Sequence, residues 1–356
     1  MDILRAPVFL SVLLIMVAGC AEPKKTFRIA ELADQRQGAW PVWPRASEVP
    51  RYVYVGDLTG EQNFTDGPKK ASAKNVLAWL VGLGQEFREP LVLRRPQGVA
   101  EGHDGRVWVS DVSRQAVFLF DTVAGELHVI DHISDSQRFV SPVGLAPLPD
   151  GGVMVSDAEL GIVIDLDASG RTRRTIGKGE LLRPTGLVWD RDNGILFVAD
   201  TRANKIKIFD RAGRYLRSIG EDGAAAGQLN APTYLALAGD RLFVTDTLNA
   251  RVQVFESDGR FVSGFGERGL YIGNMTRPKG IAVSDDGLVY VVESFYDHLL
   301  VFDQQGQLLL PIGGTGQRAG EFYLPSGVWA GSGGRVYVAD MFNGRIAVLQ
   351  YLGDGQ

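Results

Sequence analysis

From residue 95 to 352 the chain alternates short apolar runs with turn residues. The runs are four to seven residues long, rich in Val, Ile, Leu, Phe and Tyr, and are punctuated by Gly, Asp, Asn and Pro. No apolar period of three to four residues appears in this span, so the pattern predicts strands rather than amphipathic helices. The runs come in sets of four. Each set predicts an antiparallel meander with two apolar faces, which cannot be buried without a neighbour.

The sets repeat. The stretch LFVTDTLNARVQVFESDGRFVSGFG (242 to 266) has counterparts starting at residues 106, 152, 195, 288 and 335, and the acidic residue that closes its first run stands at 111, 157, 200, 246, 293 and 340. The spacing is about 46 residues, the length of one propeller blade. Upstream of each copy lies Pro-x-Gly: Pro96-Gln97-Gly98, Pro142-Val143-Gly144, Pro184-Thr185-Gly186, Pro278-Lys279-Gly280 and Pro325-Ser326-Gly327, with Pro232-Thr233-Tyr234 as the departure. Six meanders packed face to face about an axis close on themselves, so the expected fold is an all-β, six-bladed β-propeller over 50–352. The sixth copy ends after its third strand. The lone alternating strand PRYVYVGDLTG (50 to 60) is expected to complete it and so to join the two ends of the ring, an independent N-terminal hairpin being the alternative.

The cluster Asp246, Asn249 and Arg251 therefore reads as a repeat feature before it reads as a catalytic site. Asp111, Asp157, Asp200, Asp246 and Asp340, with Asn204, Asn249 and Asn343, are expected to fix the turn between second and third strands through backbone hydrogen bonds. The pattern Pro-x-Gly-[VI], then Gly-x-[VL]-[YF]-V-[AST]-Asp, then Asn-x-[RK]-[VI]-x-[VI]-Phe resembles the NHL-repeat family of six-bladed propellers. The resemblance implies the fold. It leaves function open, because such propellers serve as binding modules, sensors and lyases.

The N-terminus MDILRAPVFLSVLLIMVAGC has Arg5 in a short leader, an apolar run from Val8 to Val17, and Val17-Ala18-Gly19-Cys20 ahead of the single cysteine of the chain. This resembles a bacterial lipoprotein signal (1–19), with cleavage before Cys20 and lipidation of its thiol; a secretory signal with a chance cysteine is the alternative. The run is shorter than the ~20 residues a membrane span needs. Acyl chains on Cys20 would make the membrane a partner. Ala21 in place of Asp, by resemblance to Gram-negative sorting signals, favours the outer membrane. Residues 20–49 then read as a polar tether, in which Trp40 and Trp43 are unusual and are expected to pack on the propeller wall, contact with a partner being the alternative. A net charge of −5 with scattered basic residues argues against nucleic acid as a partner.

Chemistry is to be sought where the repeat breaks. Between the closing strand and the first full repeat, residues 69–85 predict a helical insert that is apolar almost all round. Trp79 and Leu80 are candidates for contact with a partner or a membrane, the alternative being a plug over one mouth of the propeller. In VESFYDH, Glu293 replaces the repeated Asp, and Tyr296, Asp297 and His298 follow, a candidate acid/base or metal cluster. The inner strands offer no converging ligand set, and His103, His128, His132 and His298 occupy unmatched positions. The residues between Pro and Gly, Lys279 among them, are placed to ring one mouth. Arg95, Arg183 and Arg277 precede the Pro in three repeats; pairing with carboxylates of a neighbouring blade is favoured over binding an anionic ligand. No nucleophile elbow, phosphate loop, haem motif or zinc spacing occurs, and no cofactor or metal is assigned. The sequence thus points to a non-enzymatic scaffold that docks another envelope protein. A metal-dependent lyase or lactonase, which would hold a divalent ion, and a small-ligand sensor are the competing classes.

Overall fold

The computed structural model describes residues 25–29, 40–44, 49–65 and 90–353; the signal-like segment with Cys20, much of the tether and the 69–85 insert lie outside them. Five four-stranded and one five-stranded antiparallel sheets form the blades. Blade 1 runs through strands Pro96–Glu101, Val107–Asp111, Ala116–Asp121 and Glu126–Ile130, and blades 2 to 5 repeat that meander from Pro142, Pro184, Pro232 and Pro278. Blade 6 holds Val328–Ala330, Arg335–Asp340 and Arg345–Tyr351. Outside these lie Tyr52–Leu58, antiparallel to the last strand, and Val42–Trp43.

The core lies between blades. Val109, Phe118 and Phe120 of blade 1 pack with Ile346 and Val348 of blade 6, and Trp108 and Leu119, on the other face of blade 1, pack with Val155 and Ile164 of blade 2. The alternation of apolar residues on both faces of each meander is what makes this possible, since each sheet is apolar on two sides and needs two neighbours. The same arrangement continues through blades 2, 3, 4 and 5 to blade 6, where Tyr52, Tyr54 and Trp43 join the cluster shared with Tyr290 and Val292. Tyr52 meets Tyr290 edge-on, and their hydroxyls lie 3.1 Å apart.

Each inner strand starts at one end of the axis beside the turn that joins its blade's second and third strands; this end is called the entry face below. The turns that leave the inner strands lie at the other end, the exit face.

Candidate functional site

The repeated aspartate ties the entry face together. Asp111 accepts from the backbone amides of Arg94 and Arg95 at 2.6 and 2.9 Å, and from Arg114 N within its own turn at 3.0 Å. Asp157 accepts from Val140, Ser141, Glu159 and Leu160 amides, and Asp200 from those of Leu182 and Arg183. Each fixes the entry of the inner strand to the turn beside it. Asp246 accepts from Asn230 N, Asn249 Nδ2, Arg251 Nε and Gln253 Nε2. Asp340 takes Tyr323 N, Asn343 Nδ2 and Arg345 Nε. Asn204 reaches the next connection, accepting from Ala231 N at 2.8 Å. These buried carboxylates have their lone pairs occupied, as burial requires.

The broken repeat has the same geometry. Glu293 is 1 % exposed, and its carboxylate accepts four backbone amides: Thr276 and Arg277 at 3.0 and 2.6 Å, Phe295 and Tyr296 at 3.1 and 2.6 Å. The longer side chain does what aspartate does elsewhere. Asp297, at φ 58°, takes the place of Asn204 and accepts from Leu324 N of blade 6 and from Thr315 Oγ1. Tyr296 donates to Gly269 O at 3.4 Å, and His298 lies with Glu293 and Tyr296 around a small recess under Leu270–Asn274. The four candidates are therefore adjacent, with both carboxylates engaged.

The axis is asymmetric. A Cβ added at Gly98, Gly144, Gly186, Gly280 or Gly327 would stand 2.2 to 2.5 Å from backbone of the next blade, so close approach of inner strands requires glycine there. In blade 4 the position is Tyr234. Its ring crosses the axis, and its hydroxyl donates to Gln97 O of blade 1, diametrically opposite, at 2.8 Å, with Ser326 Oγ of blade 6 at 3.3 Å. Burial pushes this phenol up to about 12, so it remains a donor at neutral pH. On the exit side of Tyr234 lies an axial cavity of about 410 Å³ walled by the six inner strands. Apolar residues such as Leu145, Leu187 and Ile281 line it, and Glu101, His103, Asp285 and Ser332 stand at its outer end with Trp189 and Trp329. Glu101 accepts from Ser332 N at 2.7 Å. His103 occupies an unmatched repeat position and Asp285 carries no repeat signal; their meeting at the cavity depends on the geometry of the ring. Among the described residues no group of three or more His, Cys, Asp or Glu side chains is arranged to hold a metal.

The entry face carries the exposed apolar surface. Leu270 and Tyr271 are 85 % and 83 % exposed in the connection from blade 4 to blade 5, and Leu248, Phe295, Tyr323 and Phe342 are exposed on the same side. Phe295 packs edge-on against Tyr296, and Tyr323 against Phe342. The three recurrent arginines diverge, which corrects the expectation of a common pairing role. Arg183 pairs with Glu159 of the preceding blade at 2.6 Å. The residue that corresponds to Glu159, two after the repeated aspartate, is Phe342 in the blade before Arg95 and Leu248 in the blade before Arg277. Accordingly Arg95 stacks over Phe342 with its guanidinium 4.9 Å from the ring centre, and the Arg277 guanidinium has no hydrogen-bond or ion-pair partner among the described residues.

No protein-family model matches the chain, and no curated protein matches it by sequence. Solved structures do match. Virginiamycin B lyase from Staphylococcus aureus superposes with a TM-score of 0.55 at 14% identity, covering 72% of this chain and 95% of that one. Hydrazine synthase of Kuenenia stuttgartiensis gives 0.53 at 15% identity, with 76% and 99% covered. The nidogen/laminin complex gives 0.50 at 20% identity, with 61% and 79% covered. The chain is a six-bladed propeller. At these identities the likeness establishes the fold and leaves the chemistry to the residues of this chain.

Proposed function

We propose that this protein is a lipid-anchored envelope lipoprotein whose NHL-type propeller is a non-enzymatic docking module, and that the entry face is its docking surface. The observation that carries the reading is the apolar arc of Leu248, Leu270, Tyr271, Phe295 and Phe342 on one face. Aromatic and aliphatic side chains exposed together characterise interaction sites more than ordinary surface. Occupation of the Glu293 and Asp297 carboxylates by hydrogen bonds from the backbone supports it further, since both serve to hold the turn and the strand entries beside them. Cys20 supplies the membrane anchor in this reading, with an outer-membrane location, another envelope protein as partner and no nucleic acid. The 69–85 insert, with Trp79 and Leu80, is a second surface for that partner. The strand 50–60 closes the ring, as the pairing of Tyr52–Leu58 with Ile346–Tyr351 supports.

Crosslinking capture from envelope membranes tests the reading. A Tyr271→Ser/Phe295→Ser/Phe342→Ser variant is expected to lose the partner while keeping the wild-type melting temperature and its lipid. An unchanged partner profile would reject the entry face. The axial cavity favours a second reading, a small-ligand sensor or a lyase, the activity that the name of the virginiamycin B neighbour carries. That reading expects His103→Ala or Asp285→Asn to abolish a ligand-induced thermal shift or a turnover, with partner capture intact.

A further inference from the structure

The mouth of the axis on the entry face is ringed by the residues between Pro and Gly, and their polar side chains are partnered except one. Ser326 Oγ donates to Gln97 Oε1 at 3.0 Å; Thr185 and Thr233 meet Thr201 and Thr247 at 2.7 Å each. Lys279 is the exception. Its ammonium, part-buried in the mouth, has no hydrogen-bond or ion-pair partner among the described residues. The charged groups that act on it are Arg277 of its own blade and Arg95 of blade 1, both cationic; burial, then these two neighbours, lower its pKa. The buried carboxylates of blades 5, 6 and 1 on this face, Glu293, Asp297, Asp340 and Asp111, are turned to backbone amides, to Thr315 or to Arg345. Among the described residues three cations thus gather at this end of blades 5 and 1 with no ion-pair partner, on a chain whose net charge is −5. Such an arrangement costs stability in the free protein and is relieved by an anion.

We infer that the Arg95, Arg277 and Lys279 mouth receives a carboxylate of the docked partner, an acidic protein segment whose apolar neighbours lie on Phe295, Tyr323 and Phe342. The inference rests on the docking role of the entry face and specifies the partner's chemistry. Charge complementarity selects the carboxylate: two guanidinium groups offer planar paired donors, and Lys279, within their electrostatic reach, adds a point charge. Phe342 beside Arg95, with the exposed Phe295 and Tyr323 on the same face, selects apolar flanks, the combination of arginine and aromatic anchors that concentrates binding energy at interfaces. Tyr234 closes the axis beneath the ring, so an inserted side chain is held at the mouth and does not pass to the exit cavity.

The test is selection of random displayed peptides on the full lipid-free chain, followed by titration of the enriched peptides against wild type, Lys279→Gln, Arg277→Gln and the Phe295→Ser/Phe342→Ser variant. Enriched peptides should carry Asp or Glu beside aromatic or aliphatic residues. Each cation variant should weaken them at least about tenfold, the loss expected for a charge-assisted hydrogen bond. Their binding should also fall with added salt. Lys279→Gln should melt no lower than wild type, which separates lost recognition from lost folding. No enrichment, enrichment of neutral or basic peptides, or acidic peptides that bind both cation variants at full strength would each overturn the inference. Peptides lost with the aromatic variant alone would overturn it while leaving the docking face in place. Charge-dependent binding to vesicles of phosphatidylcholine with phosphatidylglycerol, without peptide selectivity, would overturn it in favour of a membrane surface.

Discussion

At the scale of single residues, the carboxylates of the entry face are acceptors for backbone amides, and Glu293 shows how far this extends. Glu293→Ala would leave four amides without their acceptor and is expected to cost about 1–3 kcal/mol, read as a fall of several degrees in melting temperature. An activity lost without that fall would make Glu293 a catalytic group instead. Asp57 makes a second case. Arg345 lies 2.7 Å from Asp340 and 3.3 Å from Asp57, so two buried carboxylates share one guanidinium. Burial, only partly offset by Arg345, raises the Asp57 pKa from 3.8 to about 6. The folded state then holds this proton more tightly than the unfolded chain, so the contribution of Asp57 to stability falls as pH rises from 3.8 to about 6. Asp57→Asn is expected to flatten that part of the melting-temperature profile; a profile parallel to wild type would contradict it. The repeated Asp and Asn were legible in the sequence because their period exposes them. Tyr234 was legible as a departure from Pro-x-Gly, but its reach across the axis follows from placing blade 4 opposite blade 1. The divergence of Arg95, Arg183 and Arg277 depends on which side chain the preceding blade presents, Phe342, Glu159 or Leu248, a relation between positions more than 20 residues apart.

At the scale of elements, each meander is two-faced and leans on both neighbours, so the blades stand or fall together. The alternating runs made the strands readable one at a time, and the 46-residue period made the blades readable as a set. In the part of the tether nearest the propeller, the packing of the tryptophans is readable from the sequence and the strand that Trp43 belongs to is not. Trp43, 4 % exposed, packs in the cluster shared by blades 5 and 6, and Val42–Trp43 adds an outermost strand to blade 6. A two-residue strand has no periodicity to reveal it. Removing residues up to 60 would expose the edge of the Arg345–Tyr351 strand and leave Tyr290 without its partner Tyr52. The truncated chain is expected to lose cooperative unfolding or to aggregate, as calorimetry and light scattering would report. A truncated chain with a sharp, wild-type transition would show that the N-terminal strand is dispensable.

At the scale of the whole molecule the two ends of the axis differ. The exit end opens on a cavity of about 410 Å³ with Glu101, His103 and Asp285 at its rim, and the entry end carries the apolar arc and the cations Arg95, Arg277 and Lys279. Tyr234 separates them. The most direct test of the docking role is site-specific photocrosslinking in the native envelope, with the photoreactive residue at Phe342 on the entry face or at Val123, which is exposed in a turn on the exit face. A discrete crosslinked partner from position 342 and none from position 123 is the predicted result. A partner trapped from position 123 alone, or from neither position, would contradict the assignment of the entry face as the surface through which this propeller works.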